Sequence, residues 1–154
     1  MQVTVTKAVP ERIDECIRIF EDSALYSHYF TDGDRLPALL REGIDKGELF
    51  MALDSKGEAV GAMWIDLKGF FGFFPYLALL GVRKDRRGMG VGHTLLEVFE
   101  GVARELGYGK VSLLVSEFNP RAKALYQSMG YKKIGFLEGA VRPGVNENIM
   151  VKVL

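Results

Sequence analysis

The chain has 154 residues, enough for one domain and too few for two domains of ordinary size. Hydrophobic residues make up 48% and charged residues 26% of it, which excludes a disordered tail and a membrane-embedded protein. Twenty basic side chains balance twenty acidic ones, and this net charge of +0 argues against a dedicated nucleic-acid or membrane-surface binder. Glycine is unusually frequent, with 18 residues, or about 12% of the chain against roughly 7% in an ordinary protein.

Cysteine content and apolar runs indicate the compartment. The single cysteine, Cys16, rules out an internal disulfide and a cysteine-rich metal site, and we expect no metal. The first twelve residues lack the apolar core of a secretory signal. The longest apolar run, residues 70–82, contains two glycines and a proline and is shorter than the ~20 residues of a membrane span. We therefore expect a cytoplasmic protein in which residues 1–154 form a single domain.

The first half of the chain predicts a strand, two helices and then three strands. Residues 3–5 alternate in the manner of a strand, and Pro10 begins a helix with apolar residues at helical spacing. Residues 22–34 look irregular and aromatic, and a second helix follows over residues 36–44. The next three segments are typical of strands, the first two being joined by the hairpin turn Asp-Ser-Lys-Gly; they are residues 49–53, 59–67 and 76–80.

The second half predicts helices that alternate with strands. Residues 91–106 and 119–129 have helical periodicity, and residues 111–115 form a strand between them. Two final strands lie around residues 131–136 and 149–153. The order βααβββαβαββ predicts an α/β fold whose mixed sheet is antiparallel at first and parallel where helices make the crossovers.

The glycine excess is concentrated between the buried strand and the amphipathic helix that follows it. Gly88, Gly90 and Gly92 alternate there, which lets the backbone approach a ligand closely and turn its N–H groups inward. The next helix adds the partial positive charge of its N-terminus, so the loop suits a phosphate or pyrophosphate. Four basic side chains would favour a polyanion, namely Arg83, Lys84, Arg86 and Arg87.

Two common phosphate-binding patterns do not fit these glycines. The dinucleotide pattern G-x-G-x-x-G would need a glycine where His93 stands, and no Lys-Ser or Lys-Thr pair follows as in the nucleoside-triphosphatase loop. What remains is R-x-x-G-x-G, which begins at Arg87. The alternative interpretation is a flexible turn beside a solvated basic patch.

A second motif, N-x-x-A-x-x-L-Y-x-x-x-G-Y, begins at Asn119. Together with the glycine loop it resembles the acetyl-CoA-binding motifs of the GNAT N-acetyltransferase superfamily. The element order matches along nearly the whole chain, and the specific residues lie within 80–131. The resemblance implies a mixed central sheet with helices on both faces, acetyl-CoA as co-substrate and no metal.

The resemblance also assigns the acetyl-CoA contacts. The backbone around Leu80 would pair with pantetheine, and the N–H of Val82 would donate to the thioester carbonyl. Arg87 would bracket the pyrophosphate, and Asn119 would contact the cofactor or, alternatively, cap the helix that follows it. The pyrophosphate itself would accept hydrogen bonds from the backbone of Gly88, Met89, Gly90, Val91, Gly92 and His93.

For the chemistry, Tyr126 matches the family's tyrosine that protonates the departing CoA thiolate, although its ring also continues the apolar face of its helix. Many relatives carry a glutamate on the strand before the loop, whereas residues 76–82 contain no acid. Glu117 is our first candidate for the general base, and Asp66 and His28 follow.

Acceptor binding is expected between the first two helices, at Tyr26, His28 and Tyr29. The alternative interpretation is that these rings form core or the contact of a homodimer. We predict transfer of an acetyl group to a primary amine of a small molecule or peptide. The alternatives are a protein N-terminal or lysine acetyltransferase and a non-catalytic acyl-CoA-binding module, and no nucleic-acid or membrane partner is expected.

Overall fold

The computed structural model describes residues 1–31 and 33–154. Within them the strands are β1 (Thr4–Lys7), β2 (Leu49–Leu53), β3 (Ala59–Phe70), β4 (Phe74–Val82), β5 (Lys110–Ser116), β6 (Lys132–Glu138) and β7 (Asn146–Val153). The α-helices are α1 (Ile13–Glu21), α2 (Ala24–Tyr29), α3 (Arg35–Asp45), α4 (Val91–Glu105) and α5 (Pro120–Ser128).

The strands form one mixed sheet in the order β1-β2-β3-β4-β5-β7-β6. β1 pairs antiparallel with β2, and β2 with β3. β4 pairs parallel with β5, as a crossover through α4 requires, and β7 is antiparallel to both β5 and β6. The predicted α/β class with a mixed sheet is confirmed.

One helix was not expected from the sequence. α2 lies within residues 22–34, which the sequence predicted to be irregular. The side chain of Ser23 accepts a hydrogen bond from the backbone N–H of Tyr26 at 3.1 Å and so caps the helix. This cap supports six helical residues that carry no clear apolar period.

The chain divides into two compact units. The first consists of Met1–Ile65 and Leu79–Val98, and the second of Asp66–Ala78 and Phe99–Leu154. Fully buried side chains of the first unit include Phe20, Leu36, Leu40, Leu49, Met63, Ile65 and Leu95. Those of the second include Phe99, Leu113 and Tyr131.

The sequence predicts an apolar face of α4 at Leu95, Phe99, Val102 and Leu106, and the observed face differs slightly. It buries Leu95, Leu96, Phe99 and Ala103, whereas Leu106 follows the last helical turn and is 56% exposed. Spacings of three and four residues define this face, as the helical period requires.

A buried carboxylate on α4 is paired within the second unit. Glu100 accepts a hydrogen bond from the hydroxyl of Tyr131 at 3.2 Å and another from Nζ of Lys152 at 2.6 Å. A buried charge needs such partners, so this group is structural. Among the helices of the described ranges, none has the length and apolarity to cross a membrane.

Candidate active site

The glycine-rich loop lies in the first unit, between β4 and α4. Gly88 has φ 77° and Gly90 has φ 86°, a left-handed backbone that side chains disfavour. The carbonyl of Gly90 accepts the first helical hydrogen bond, from the N–H of Thr94 at 3.0 Å. The N–H groups of residues 91–93 therefore stand in the first turn of α4, where a helix has no internal partners for them. The arrangement is that of an anion-binding helix N-terminus.

A glycine on β3 lets α4 approach the sheet closely. A Cβ on Gly61 would lie 2.9 Å from Cγ1 of Val91 and 3.0 Å from Cδ1 of Leu95. Gly81 plays a similar part at the end of β4, where a Cβ would lie 2.6 Å from the ring of Phe20. Both glycines therefore allow close packing beside the glycine-rich loop, Gly61 against α4 and Gly81 against α1. Neither of them belongs to the R-x-x-G-x-G motif.

The basic side chains around the loop are engaged with acids. Arg83 pairs with Asp85 at 2.7 Å and with Glu58 at 3.4 Å. Arg86 pairs with Asp85 at 3.2 Å and with Asp54 at 3.8 Å. Two of the four basic side chains expected to attract a polyanion, Arg83 and Arg86, therefore already have acidic partners. The N-terminus of α4 is a further source of positive potential beside the loop.

Arg87, the arginine of the motif, contacts backbone carbonyls. Its Nε donates to the carbonyl of Val82 at 3.1 Å, and its Nη2 donates to the carbonyl of Asp22 at 3.0 Å. It therefore ties the loop both to the end of β4 and to the residue that follows α1. Its predicted contact with pyrophosphate stays a prediction.

Other predicted residues of the first unit have these surroundings. His93 in α4 pairs with Glu97 of the same helix at 2.6 Å, and Met89 is 46% exposed. In α2, Tyr26 and His28 are half-buried and Nδ1 of His28 lies 2.7 Å from the carbonyl oxygen of Ala24.

Tyr29, by contrast, is buried. That burial matches the alternative interpretation of this ring as core. Leu80 and Val82, at the end of β4, are half-buried.

The second unit contains the remaining predicted residues. Tyr126 on α5 is buried, and burial, with a smaller contribution from Tyr76, raises the pKa of its phenol. The side-chain oxygen of Asn119 accepts a hydrogen bond from the N–H of Ala122 at 3.2 Å and caps α5. The capping alternative for Asn119 is therefore observed, and its contact with acetyl-CoA stays a prediction.

Glu117 lies directly after β5 and is exposed. Its backbone N–H donates to the carbonyl of Asn146 at 3.0 Å, and its Oε1 accepts from the N–H of the same residue at 3.3 Å. The carboxylate thus helps to hold the start of β7 against the end of β5, and its role as a base stays a prediction.

A buried acid that the sequence analysis did not single out lies one residue further along β7. Glu147 is 2% exposed, and the hydroxyl of Ser116 lies 2.7 Å from each of its carboxylate oxygens. The two residues are direct partners in the β5–β7 register. Burial raises the pKa of Tyr76 to about 12, and the charge of Glu147 adds to that shift. No local sequence pattern marks Glu147, because its burial depends on the antiparallel pairing of β5 with β7.

Comparison with known proteins decides the family. The model of the acetyltransferase (GNAT) family matches residues 13–131. The chain belongs to the GNAT acetyltransferase family. This confirms the resemblance stated on the motifs.

Individual GNAT relatives are distant. A mycothiol acetyltransferase from Paenarthrobacter aurescens strain TC1 is 27% identical over 126 residues, which cover 77% of this chain and 39% of that protein. N-acetyltransferase 8B from Homo sapiens is 39% identical over 56 residues, covering 36% of this chain and 25% of that protein. The chain therefore spans well under half the length of these curated relatives. The structure of Ard1 from Thermoplasma volcanium is similar with a TM-score of 0.84 and 22% identity, over 100% of this chain and 99% of that one.

Proposed function

We propose that this GNAT protein transfers the acetyl group of acetyl-CoA to a primary amine of a small molecule or peptide. The observation that carries the proposal is the left-handed pair Gly88 and Gly90 at the start of α4, directly after β4. This backbone shape, directly before a helix N-terminus, supports pyrophosphate binding at the position where the motif predicts it. The names of the relatives, which are acetyltransferases, support the same chemistry.

The reaction is direct attack in a ternary complex. The amine nitrogen attacks the thioester carbon, the C–S bond breaks, and the CoA thiolate takes a proton from Tyr126. The backbone N–H of Val82 donates to the carbonyl oxygen, where negative charge develops; such a fixed donor is typically worth ~10²–10³ in rate. The amine loses one proton to a carboxylate near the end of β5, for which Glu117 is the sequence candidate.

A covalent acetyl-cysteine intermediate is disfavoured by the state of the cysteine. Cys16 is 0% exposed, and burial raises its pKa to about 11. The thiolate, which is the nucleophilic form, is therefore scarce at neutral pH. This supports direct transfer to the acceptor.

Acceptor choice is assigned to α2 and the residues around it. Tyr26 and His28 are half-buried there, so part of each ring is exposed. α2 begins shortly after Asp22, whose carbonyl is bound by Arg87 of the glycine loop. We propose that this segment selects the acceptor.

A thiol-release assay tests the proposal. Purified protein is incubated with acetyl-CoA and, in separate wells, with glycinamide, spermidine, L-methionine and a tetrapeptide with a free N-terminus, and free CoA thiol is measured. Release that depends on both protein and amine supports an acetyltransferase. Tight acetyl-CoA binding in calorimetry without release from any amine would instead indicate the non-catalytic acyl-CoA-binding module.

A further inference from the structure

The two edge strands of the sheet differ in how well they are protected. β1 and β6 stand at the ends of the strand order, so each is paired on one side only within the described residues. β1 has four residues, three of them polar, which are Thr4, Thr6 and Lys7. Short polar edges of this kind resist pairing with another chain. β6 has seven residues, and six of them are exposed.

The middle of β6 presents large apolar side chains to water. Ile134 is 59%, Phe136 56% and Leu137 41% exposed. The bulge between Lys133 and Gly135 and the lysines at one end are features that protect an edge, yet they leave these three side chains uncovered. Pairing with another strand would bury this apolar surface.

The charges of β6 lie at opposite ends of the strand. Lys132 and Lys133 begin it and Glu138 ends it, and all three side chains are exposed. In the part of the chain that the structure describes, none of the three forms an ion pair, although Nζ of Lys133 lies 5.5 Å from the centre of the Phe136 ring. The strand is therefore positive at its start, apolar in its middle and negative at its end.

We propose that two copies of this chain form a dimer through β6, which pairs antiparallel with β6 of the second copy about a two-fold axis. In an antiparallel pair the start of one strand lies beside the end of the other. Lys132 and Lys133 of each copy therefore come next to Glu138 of the other copy, and the apolar middles meet. A two-fold contact requires a surface that complements itself, and this order of charged and apolar residues provides one.

A second copy fits this surface better than a membrane or the other dimer contact does. The net charge of the chain is +0, so two copies do not repel each other as a whole. An anionic lipid surface would select basic residues on all sides of the apolar ones, whereas Glu138 ends this strand. The aromatic residues of α2, which the sequence analysis considered for a homodimer, include Tyr29, and that ring is buried.

Light scattering after size-exclusion chromatography tests the proposal, and sedimentation equilibrium gives the Kd of the dimer. We expect the unmodified protein to have twice the mass of one chain. Glu138→Lys makes both ends of β6 positive, and Lys132→Glu combined with Lys133→Glu makes both ends negative. Each variant alone should raise the Kd of the dimer about 10-fold or more, because like charges then face each other. An equimolar mixture of the two should recover the dimer, since unlike ends meet again. Lys7→Glu, on the other edge strand, is the matched control and should leave the mass unchanged.

A monomer at every concentration overturns the proposal, and so does a dimer whose Kd is the same in both β6 variants and in the unmodified protein. Hydrogen exchange gives a measure that needs no mutation: the backbone N–H groups on the free edge of β6 should exchange more slowly as the protein concentration rises. Exchange there that does not depend on concentration also overturns the contact. None of these measurements involves acetyl transfer, so their outcome is separate from that of the thiol-release assay.

Discussion

The phenol of Tyr126 combines burial with a proposed chemical task. Burial raises its pKa above the ordinary 10.0, so the hydroxyl carries its proton at neutral pH. In the proposed reaction Tyr126 hydrogen-bonds to the departing CoA thiolate and gives it the proton; a thiol has a pKa near ~8.5, below that of the phenol, so this transfer is uphill. The raised pKa thus keeps the group in its donating form.

Replacing Tyr126 with Phe tests that role. We expect kcat to fall about 10- to 100-fold, because the leaving thiolate loses its donor, and the Kd for acetyl-CoA to stay the same. Stopped-flow thiol release and calorimetry measure the two quantities. Tyr108→Phe is the control, since Tyr108 lies between α4 and β5 and outside the motif, and it should leave kcat unchanged. Equal kcat in Tyr126→Phe and the unmodified protein would remove the assigned role.

At the scale of elements, the loop between β4 and α4 depends on backbone shape. Gly90 has φ 86°, and a branched side chain there costs on the order of 1–3 kcal/mol of strain or forces the loop into another conformation. Either outcome moves the N–H groups of the first helical turn away from a pyrophosphate. Side-chain chemistry contributes less, because Arg87 is engaged with two backbone carbonyls.

Gly90→Val is therefore expected to raise the Kd for acetyl-CoA about 10- to 100-fold, since each 1.4 kcal/mol corresponds to tenfold. Isothermal titration calorimetry checks it. Gly139→Val is the control, because Gly139 is also left-handed, with φ 61°, but follows β6 in the second unit. A comparable loss in both variants would mean that general destabilisation, rather than the cradle, explains the result.

The sequence was sufficient for elements that have a strong local pattern. The periodic helices and the glycine loop were predicted at close to their observed bounds, because short-range spacing determines them. α2 was missed, since it depends on one capping hydrogen bond from Ser23 rather than on an apolar period. β7 was predicted to start at Ile149, whereas it starts at Asn146, because pairing with β5 and β6 extends it through polar residues.

The same long-range pairing explains which part of the candidate site was predictable. Motif residues such as Gly90 and Tyr126 could be placed on their elements from spacing alone. Glu147 could not, because its burial arises from strands far apart in the chain, and in isolation Asn-Glu-Asn is typical of a solvated loop. The hydrogen-bond partners of a side chain could not be predicted from the sequence either. Arg87, for example, donates to two backbone carbonyls, those of Val82 and Asp22.

For the molecule as a whole, its stability in alkali follows from the buried groups that resist ionisation. Burial raises the pKa of Cys16 from 9.0 to about 11 and that of Tyr76 from 10.0 to about 12. Below pH 9 the folded and unfolded chains both keep the thiol proton. Between pH 9 and 11 only the unfolded chain releases it, so the free energy of unfolding falls as pH rises.

We predict that the free energy of unfolding is level near pH 8 and declines steadily above pH 9. For Cys16, a shift from 9.0 to about 11 corresponds to a loss of roughly 2–3 kcal/mol across that window. Urea unfolding followed by circular dichroism at pH 8, 9.5 and 11 measures the decline. Cys16→Ala should be less stable at pH 8, because a small buried group is removed, yet should lose less stability between pH 9 and 11. Parallel curves for the two proteins would show that the buried thiol does not control this transition and would leave the buried tyrosines, whose phenols ionise near pH 10 only in the unfolded chain, as its cause.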